Sequence, residues 1–379
     1  MDTQLSEEQQ ALEASCQKLL EKEWPLERAL KALGPGGGGH SAALWNTLAE
    51  AGWLGLPFAP ELGGAGGDLM DLGLAWRAAG ERLVPGTLYS CGFAQLLIDR
   101  LATPAQKQAL MPAIIAGERL ATVAYTEPHA AEAMRLYKTT ASRGAGGWTL
   151  HGVKAFVPDA GTADVVLVLA KAQSNLERGH FGLFALTRAQ LGAGIRRQSA
   201  LGGEALYRVE LPGLHVAADA LLGGEAALGA THGAFQDVVE QAIALQCMEM
   251  TGGIGAVLKR TVEFVREREQ HGRALGSFQA VQHLLANVAL QLDGARVAAL
   301  QALFLKARGR PAARAAAIAK AALGELYAQA TTTAHQLWGA MGYARETGLY
   351  LWSERARVAD ATFGTSAYHL SRLAGLMGF

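Results

Sequence analysis

Cysteine is scarce in this chain: three among 379 residues, at Cys16, Cys91 and Cys247, far apart and odd in number. That spacing excludes a disulfide framework and a Cys-x-x-Cys metal pair. An excess of either charge is missing too, since Lys+Arg and Asp+Glu both total 34. A balanced chain carries no electrostatic footprint for nucleic acid and no polybasic patch for a membrane surface. Long apolar runs are also absent. Although 50% of residues are apolar, the longest aliphatic run, VVLVLA at 165–170, is far too short for a bilayer. The opening MDTQLSEEQQ is acidic and polar, unlike a secretory or transit peptide. A soluble cytoplasmic protein with two or three domains and a large core is the expectation.

What is present is a hydrophobic period that changes twice. Ser6 and Gln9 predict a capping box that opens a helix through EEQQALEASCQKLLEKE. GPGGGG at 34–39 formally contains G-x-G-x-x-G, but a helical pattern precedes it, so it reads as a loop. Helical patterning resumes in SAALWNTLAEAG, across 68–82 and across 104–117. From about 121 the segments WTLHGVKAFVP, ADVVLVLA, HFGLFAL and ALYRVELPGLHV are short and rich in Val, Leu and aromatics, as antiparallel strands are. Near 226 the helical period returns. Residues 233–268 predict one helix of about 54 Å. The next segment spaces Phe278, Val281, Leu285, Val288, Leu292 and Ala295 at helical steps, and the alanine-rich stretch from Pro311 suits a buried bundle helix. No internal repeat is found. The fold class is therefore α+β, mostly helical: an N-terminal helical domain (1–120), a small antiparallel β-barrel-like domain (121–225) and a C-terminal bundle (226–379).

The break EREQHGRALGSFQAVQH, 267–283, concentrates cations, an amide and two glycines between two long helices. Its plainest reading is that Gly272 and Gly276 end one helix and Ser277 caps the next. Six stretches favour a functional reading. LAEAGWLGLPFAPELGGAGGD, AYTEP, LHGVKAFV, VAADALLG, REREQHGRALGSFQAVQHLLAN and HQLWGAMGYARETGLYLWSERAR follow one another across nearly the whole chain. In that order they resemble the acyl-CoA dehydrogenase family of FAD-dependent flavoproteins, especially a bacterial branch with heteromeric members.

The resemblance implies a C-terminal four-helix bundle, FAD as hydride acceptor, an acyl-CoA thioester substrate and an acceptor such as an electron-transfer flavoprotein. It implies a dimer or tetramer, homomeric or with a homologous subunit. Arg268 and Gln270 would reach the FAD of a neighbouring chain, and Leu275, Phe278 and Val281 would pack at its adenine end. Gln336, Gly339 and Gly342 match a second segment that approaches the same dinucleotide. Tyr125, Thr126, Phe156 and Thr365 would stand on the flavin side.

The sequence also departs from the pattern. The family's catalytic carboxylate lies beside the glycine of the C-terminal E-G-T or G-D motif, or on the long helix 26 residues before the pyrophosphate Arg. Here those places hold Phe363, Thr365 and Ala242, none of them a base. Glu240, two residues away and so about 200° around the helix, would serve only through a register shift or bulge; Glu249 is a further carboxylate on that helix. In TEPHAAEA, Ala131 and Glu132 replace the Gly and Ser expected against the pyrophosphate, and Phe156-Val157-Pro158 loses a hydroxyl donor. Three readings stay open: an enzyme with an unlocated base, a non-catalytic partner subunit, or a flavin-free acyl-CoA-binding scaffold. Gly252, Gly253 and Gly255 would either widen an acyl pocket or allow close helix packing.

Overall fold

A computed structural model describes residues 5–128, 130, 134–173 and 178–379. In chain order it contains α1 (Glu7–Glu23), α2 (Leu26–Leu33), α3 (Ala42–Glu50), α4 (Leu69–Glu81), α5 (Thr87–Leu101) and α6 (Pro104–Ile115). Strands β1 (Ala121–Ala124), β2 (Thr140–Gly144), β3 (Gly147–Pro158), β4 (Val165–Gln173) and β5 (Arg178–Thr187) follow, then α7 (Arg188–Leu191), β6 (Ile195–Gln198) and β7 (Leu206–Ala217). The rest is α8 (Leu228–Glu267), the short pair β8 (Glu269–Gln270) and β9 (Arg273–Ala274), α9 (Gln279–Ala307), α10 (Ala313–Trp338), α11 (Leu349–Ala361) and α12 (Ser366–Leu376). The chain forms two compact units, Met1–Gly37 with Asp68–Val84 and Glu240–Phe379, and Gly38–Gly67 with Pro85–Val239.

In the helical unit the capping box of α1 forms as the sequence predicts, with Ser6 and Gln9 exchanging bonds of 3.2 Å. Contacts with neighbouring helices explain two of the α8 glycines. A Cβ at Gly252 would strike the Arg77 carbonyl of α4, and one at Gly253 the Tyr327 hydroxyl of α10; Gly80 of α4 lies equally close to Glu249. Close helix packing, not a wider pocket, accounts for Gly252 and Gly253, while nothing lies near Gly255. The α10 helix buries 13 residues, as its all-round apolar pattern predicts. By contrast α9 is long and apolar enough to cross a membrane by length and composition, with 33% of that window buried. Its inward stripe runs through Val288 and Ala295, while Leu284, Leu290 and Val297 stay exposed.

The β unit corrects two expectations. Its seven-stranded sheet is mixed rather than wholly antiparallel, because β1 and β2 both run parallel to β4. The other pairings are antiparallel, β3 with β2 and β7, β4 with β5, and β6 with β7. Since β5 follows β4 from Val165 to Gln173, β1 and β2 share the opposite edge, end to end. All six residues of VVLVLA are buried, so β4 is covered on both faces. Trp148 and Phe184 meet edge to face at 5.6 Å in the core beneath it. Second, α5 has no counterpart in the sequence reading. Eleven of its 15 residues are buried, which removes the polar face that would have marked a helical period.

Candidate functional site

Within the helical unit, the break after α8 is a hairpin rather than a simple helix stop. β8 and β9 pair through Glu269–Ala274 and Gln270–Arg273, around His271 and Gly272 at φ 54° and 77°. Two successive left-handed residues give the tight turn whose twist matches a hairpin. Ser277 is not the cap of α9: Phe278 holds that place, and the Ser277 hydroxyl donates to the Ala274 carbonyl at 2.7 Å. Arg268 anchors the hairpin through its backbone, its carbonyl accepting from Leu275 N–H at 2.8 Å. Its side chain is exposed and has no carboxylate partner among the described residues. Gln270 is exposed as well, Leu275 and Val281 are half-buried, and the Phe278 ring lies under the Arg273 guanidinium at 4.0 Å.

The second predicted segment stands against the same end of α8. Phe264 of α8 stacks on Trp338 of α10 at 4.4 Å and 10°. Arg260 lies over Trp352 and Trp338 at 5.0 and 5.9 Å and donates to the Thr347 carbonyl. This brace joins the end of α8, which runs into the Arg268 hairpin, to the end of α10, which runs into Gly339. Gln336 is exposed. Gly339 turns the chain at φ 59° with nothing near its missing Cβ, whereas Gly342 is buried against His335. The His335 ring stacks on Tyr343 at 4.8 Å and shares a 2.7 Å hydrogen bond with the Ser353 hydroxyl.

At the place where a base is expected, the structure builds a rigid turn around Phe363. Helix α11 ends there with Phe363 at φ 58° and Gly364 at φ 99°. A bulky residue in that left-handed cap costs about 1–2 kcal/mol relative to glycine. Lys320, 0% exposed, holds the turn by donating to the carbonyls of Ala359, Asp360 and Gly364 at 2.8, 3.0 and 2.9 Å. Buried His369 bonds the Phe363 carbonyl at 2.9 Å, and burial above all draws its pKa down to about 4, leaving a neutral ring that donates from Nε2. The Asp360 carboxylate accepts from Ser366 N–H and hydroxyl at 2.9 and 2.6 Å. A Cβ at Gly324 of α10 would hit that carboxylate, so only glycine lets α10 come so near. Thr365 is exposed and caps α12. Ala242 is fully buried. Glu240 lies between Arg372 and Lys306 at 2.7 and 3.7 Å, and Glu249 faces Arg355 at 4.0 Å.

In the β unit, Tyr125 and Thr126 follow β1 and are half-buried, with the Tyr125 ring packed at 5.9 and 5.8 Å on Phe93 and Phe235. Phe156 projects from β3 at φ 55° with 56% of its surface exposed. Ala131 and Glu132 lie outside the described residues. Three groups absent from the sequence reading stand here. Glu127 and Lys154 form a buried ion pair at 2.7 Å. Asp159, also buried, accepts from the Ser90 and Thr87 hydroxyls at 2.7 and 3.3 Å, and His40 meets Thr87 at 3.3 Å. Burial, with Glu204 adding to it, pushes the Asp159 carboxyl up to about 7. In the sequence the pair shows only as one carboxylate in AYTEP and one lysine in LHGVKAFV.

These residues suit a flavin dinucleotide. In the helical unit, an exposed guanidinium with no carboxylate partner among the described residues fits a pyrophosphate and an open glycine turn admits close approach; in the β unit, taken by itself, an exposed aromatic ring offers a face to a flat heterocycle. N-terminal helices, a mixed sheet and a C-terminal helical unit are the architecture of the acyl-CoA dehydrogenase fold. Family models for the acyl-CoA dehydrogenase N-terminal, middle and C-terminal domains match residues 6–118, 122–211 and 235–377. The chain belongs to the acyl-CoA dehydrogenase family, which oxidises acyl-CoA thioesters with FAD. It is 28% identical over 399 residues to 3-sulfinopropanoyl-CoA desulfinase of Paraburkholderia xenovorans, covering 99% of this chain and 97% of that one. It is 28% identical over 389 residues to the mitochondrial short-chain specific acyl-CoA dehydrogenase of Bos taurus, covering 98% and 90%. Among solved structures, a chain of the ChsE4-ChsE5 complex from Mycobacterium tuberculosis superposes with a TM-score of 0.89 at 23% identity, covering 100% of both.

Proposed function

We propose that this chain binds FAD and an acyl-CoA thioester but, alone, lacks the base that α,β-dehydrogenation needs, so that it works as a subunit of an oligomer. The observation behind this reading is the Phe363 turn. It is held by Lys320 and His369, yet the side chain it offers cannot accept a proton. Bound FAD supplies the hydride acceptor of the family's reaction. The protein's own share is to bind and orient, and Arg268, Gln270, Gln336 and Gly339 are lent to the dinucleotide of a neighbouring copy or homologue. Glu240 is unsuited to replace the base, because Arg372 and Lys306 already hold its carboxylate. The exposed Leu284, Leu290 and Val297 of α9 supply the apolar face for assembly. The two-protein complex among the similar folds supports a heteromer. A second reading, an acyl-CoA reaction other than dehydrogenation, is favoured by the desulfinase relative.

The test is anaerobic titration of the purified yellow protein with a panel of acyl-CoA thioesters, with 3-sulfinopropanoyl-CoA included. The expected result is a perturbed flavin spectrum without bleaching by saturated acyl groups, on an oligomer by light scattering. Prompt bleaching by any saturated acyl-CoA, or a monomeric mass with FAD retained, overturns it.

A further inference from the structure

The buried pair in the β unit has a place in the fold that a stability role does not explain. β1 and β2 lie in one line along β4; β1 ends at Ala124 and β2 begins at Thr140. Glu127, three residues after β1, is tied to the chain entering β2, its carboxylate accepting from the N–H groups of Lys138 and Thr139. The same carboxylate meets Lys154 of β3 at 2.7 Å. Lys154 also donates to the Tyr125 carbonyl at 3.1 Å and lies over the Tyr137 ring at 4.8 Å. One residue on, Ala155 N–H donates to the Thr126 carbonyl at 3.0 Å. Consecutive residues 125, 126 and 127 are thus tied to 154 and 155, and Phe156 comes next.

We propose that Glu127 and Lys154 are positioning residues for the flavin: they join Tyr125–Thr126 to Phe156 as one body and tie it to the chain entering β2. This rests on the reading of FAD as cofactor. The pair is 5% and 0% exposed. Taking two charges so far from water is often no more stabilising than a packed apolar pair, so its worth lies in the geometry it imposes. Burial draws the Lys154 ammonium down to about 8, with Glu127 opposing the shift and Lys171 adding to it. Burial pushes Glu127 up, but Lys154 and the backbone donors outweigh it and hold the carboxyl below its usual range. The other cation facing the pair, Lys171, is engaged with the Arg135 carbonyl at 2.9 Å.

The double substitution E127Q/K154M removes both charges together and leaves no lone buried ion. It is expected to retain the far-ultraviolet spectrum, lose FAD affinity at least about tenfold and shift the visible bands of the flavin that remains. In the wild-type protein, FAD is expected to slow hydrogen exchange at Lys138, Thr139 and Ala155 more than at the centre of β5, a measurement that needs no variant to fold. A yellow wild type whose double variant keeps its affinity and spectrum, or whose three amides gain no protection, overturns the positioning role alone. A wild type that binds no FAD overturns the cofactor reading and this inference with it.

Discussion

Two lysines, Lys154 in the β unit and Lys320 in the helical unit, are both fully buried, and their surroundings differ. Lys154 meets a carboxylate, while Lys320 donates to three carbonyls at the end of α11. The local backbone explains the difference. Where the chain rejoins the sheet, two N–H groups need an acceptor, so an anion stands there and the cation follows it. A helix C-terminus instead leaves its last carbonyls without partners at the negative end of the helix dipole, and an ammonium with three donors serves them directly. Each buried charge thus marks a backbone geometry kept fixed. One lies beside the residues proposed for the flavin side; the other holds a turn that presents the phenyl ring of Phe363.

The largest effect should come from breaking the helical member of this comparison. Lys320→Met would leave three buried carbonyls unserved, and a loss on the order of 3–5 kcal/mol is expected in urea unfolding. A loss below about 1 kcal/mol would mean that the turn is not held by this cation.

Asp159 sharpens the comparison as a buried group with no cation among its bonds to Ser90 and Thr87. Its folded pKa, about 7, lies above the ordinary 3.8. Between those values the folded state keeps a proton that the unfolded state has released. Its contribution to stability is therefore full at low pH and lost as pH rises to 7, by at most about 4 kcal/mol. Asp159→Asn is expected to raise the thermal midpoint at pH 8 and to converge on the wild type near pH 4; a constant difference across that range would refute the shift.

Arg268, a cation in water, supplies the contrast. Its replacement by Ala should leave stability within about 0.5 kcal/mol yet weaken FAD binding at least about tenfold, as loss of a charge-assisted bond worth about 1.5–3 kcal/mol requires. Unchanged flavin retention after gel filtration would count against the split site. The smallest effect belongs to Gly339→Ala: its backbone at φ 59° and ψ −137° favours glycine, and a loss on the order of 1 kcal/mol is expected in urea unfolding.

The sequence made the four long strands legible because their β-branched and aromatic residues lie between turn residues. The long α8 and the buried α10 were legible from their period and composition. Helix α5 was not, since a helix apolar on every side has no period to read, and Gly86 before it offers no side-chain cap. The membrane-like composition of α9 escaped a search for contiguous aliphatic runs because Gln, Asn and Asp interrupt it. Of the candidate site, the Arg268 break and the Gln336–Gly342 segment are proposed from motifs, but the brace between Phe264 and Trp338 was not legible, because contact across 74 positions has no local sign. Glu127 and Lys154, Lys320 and Asp159 were hidden for the same reason. A charged residue in an apolar stretch looks exposed until its distant partner is known.

The most direct test of the proposal that this chain lacks a base of its own is single-turnover reduction of bound FAD by butyryl-CoA in the wild type and in Phe363→Glu. The clamp by Lys320, His369 and Asp360 should hold the new carboxylate in the existing turn. A general base is worth about 10²–10⁴ in rate, so F363E should reduce its flavin at least about tenfold faster than the wild type. Rapid reduction by the wild type, with F363E no faster, would contradict the account and require a base elsewhere in the chain.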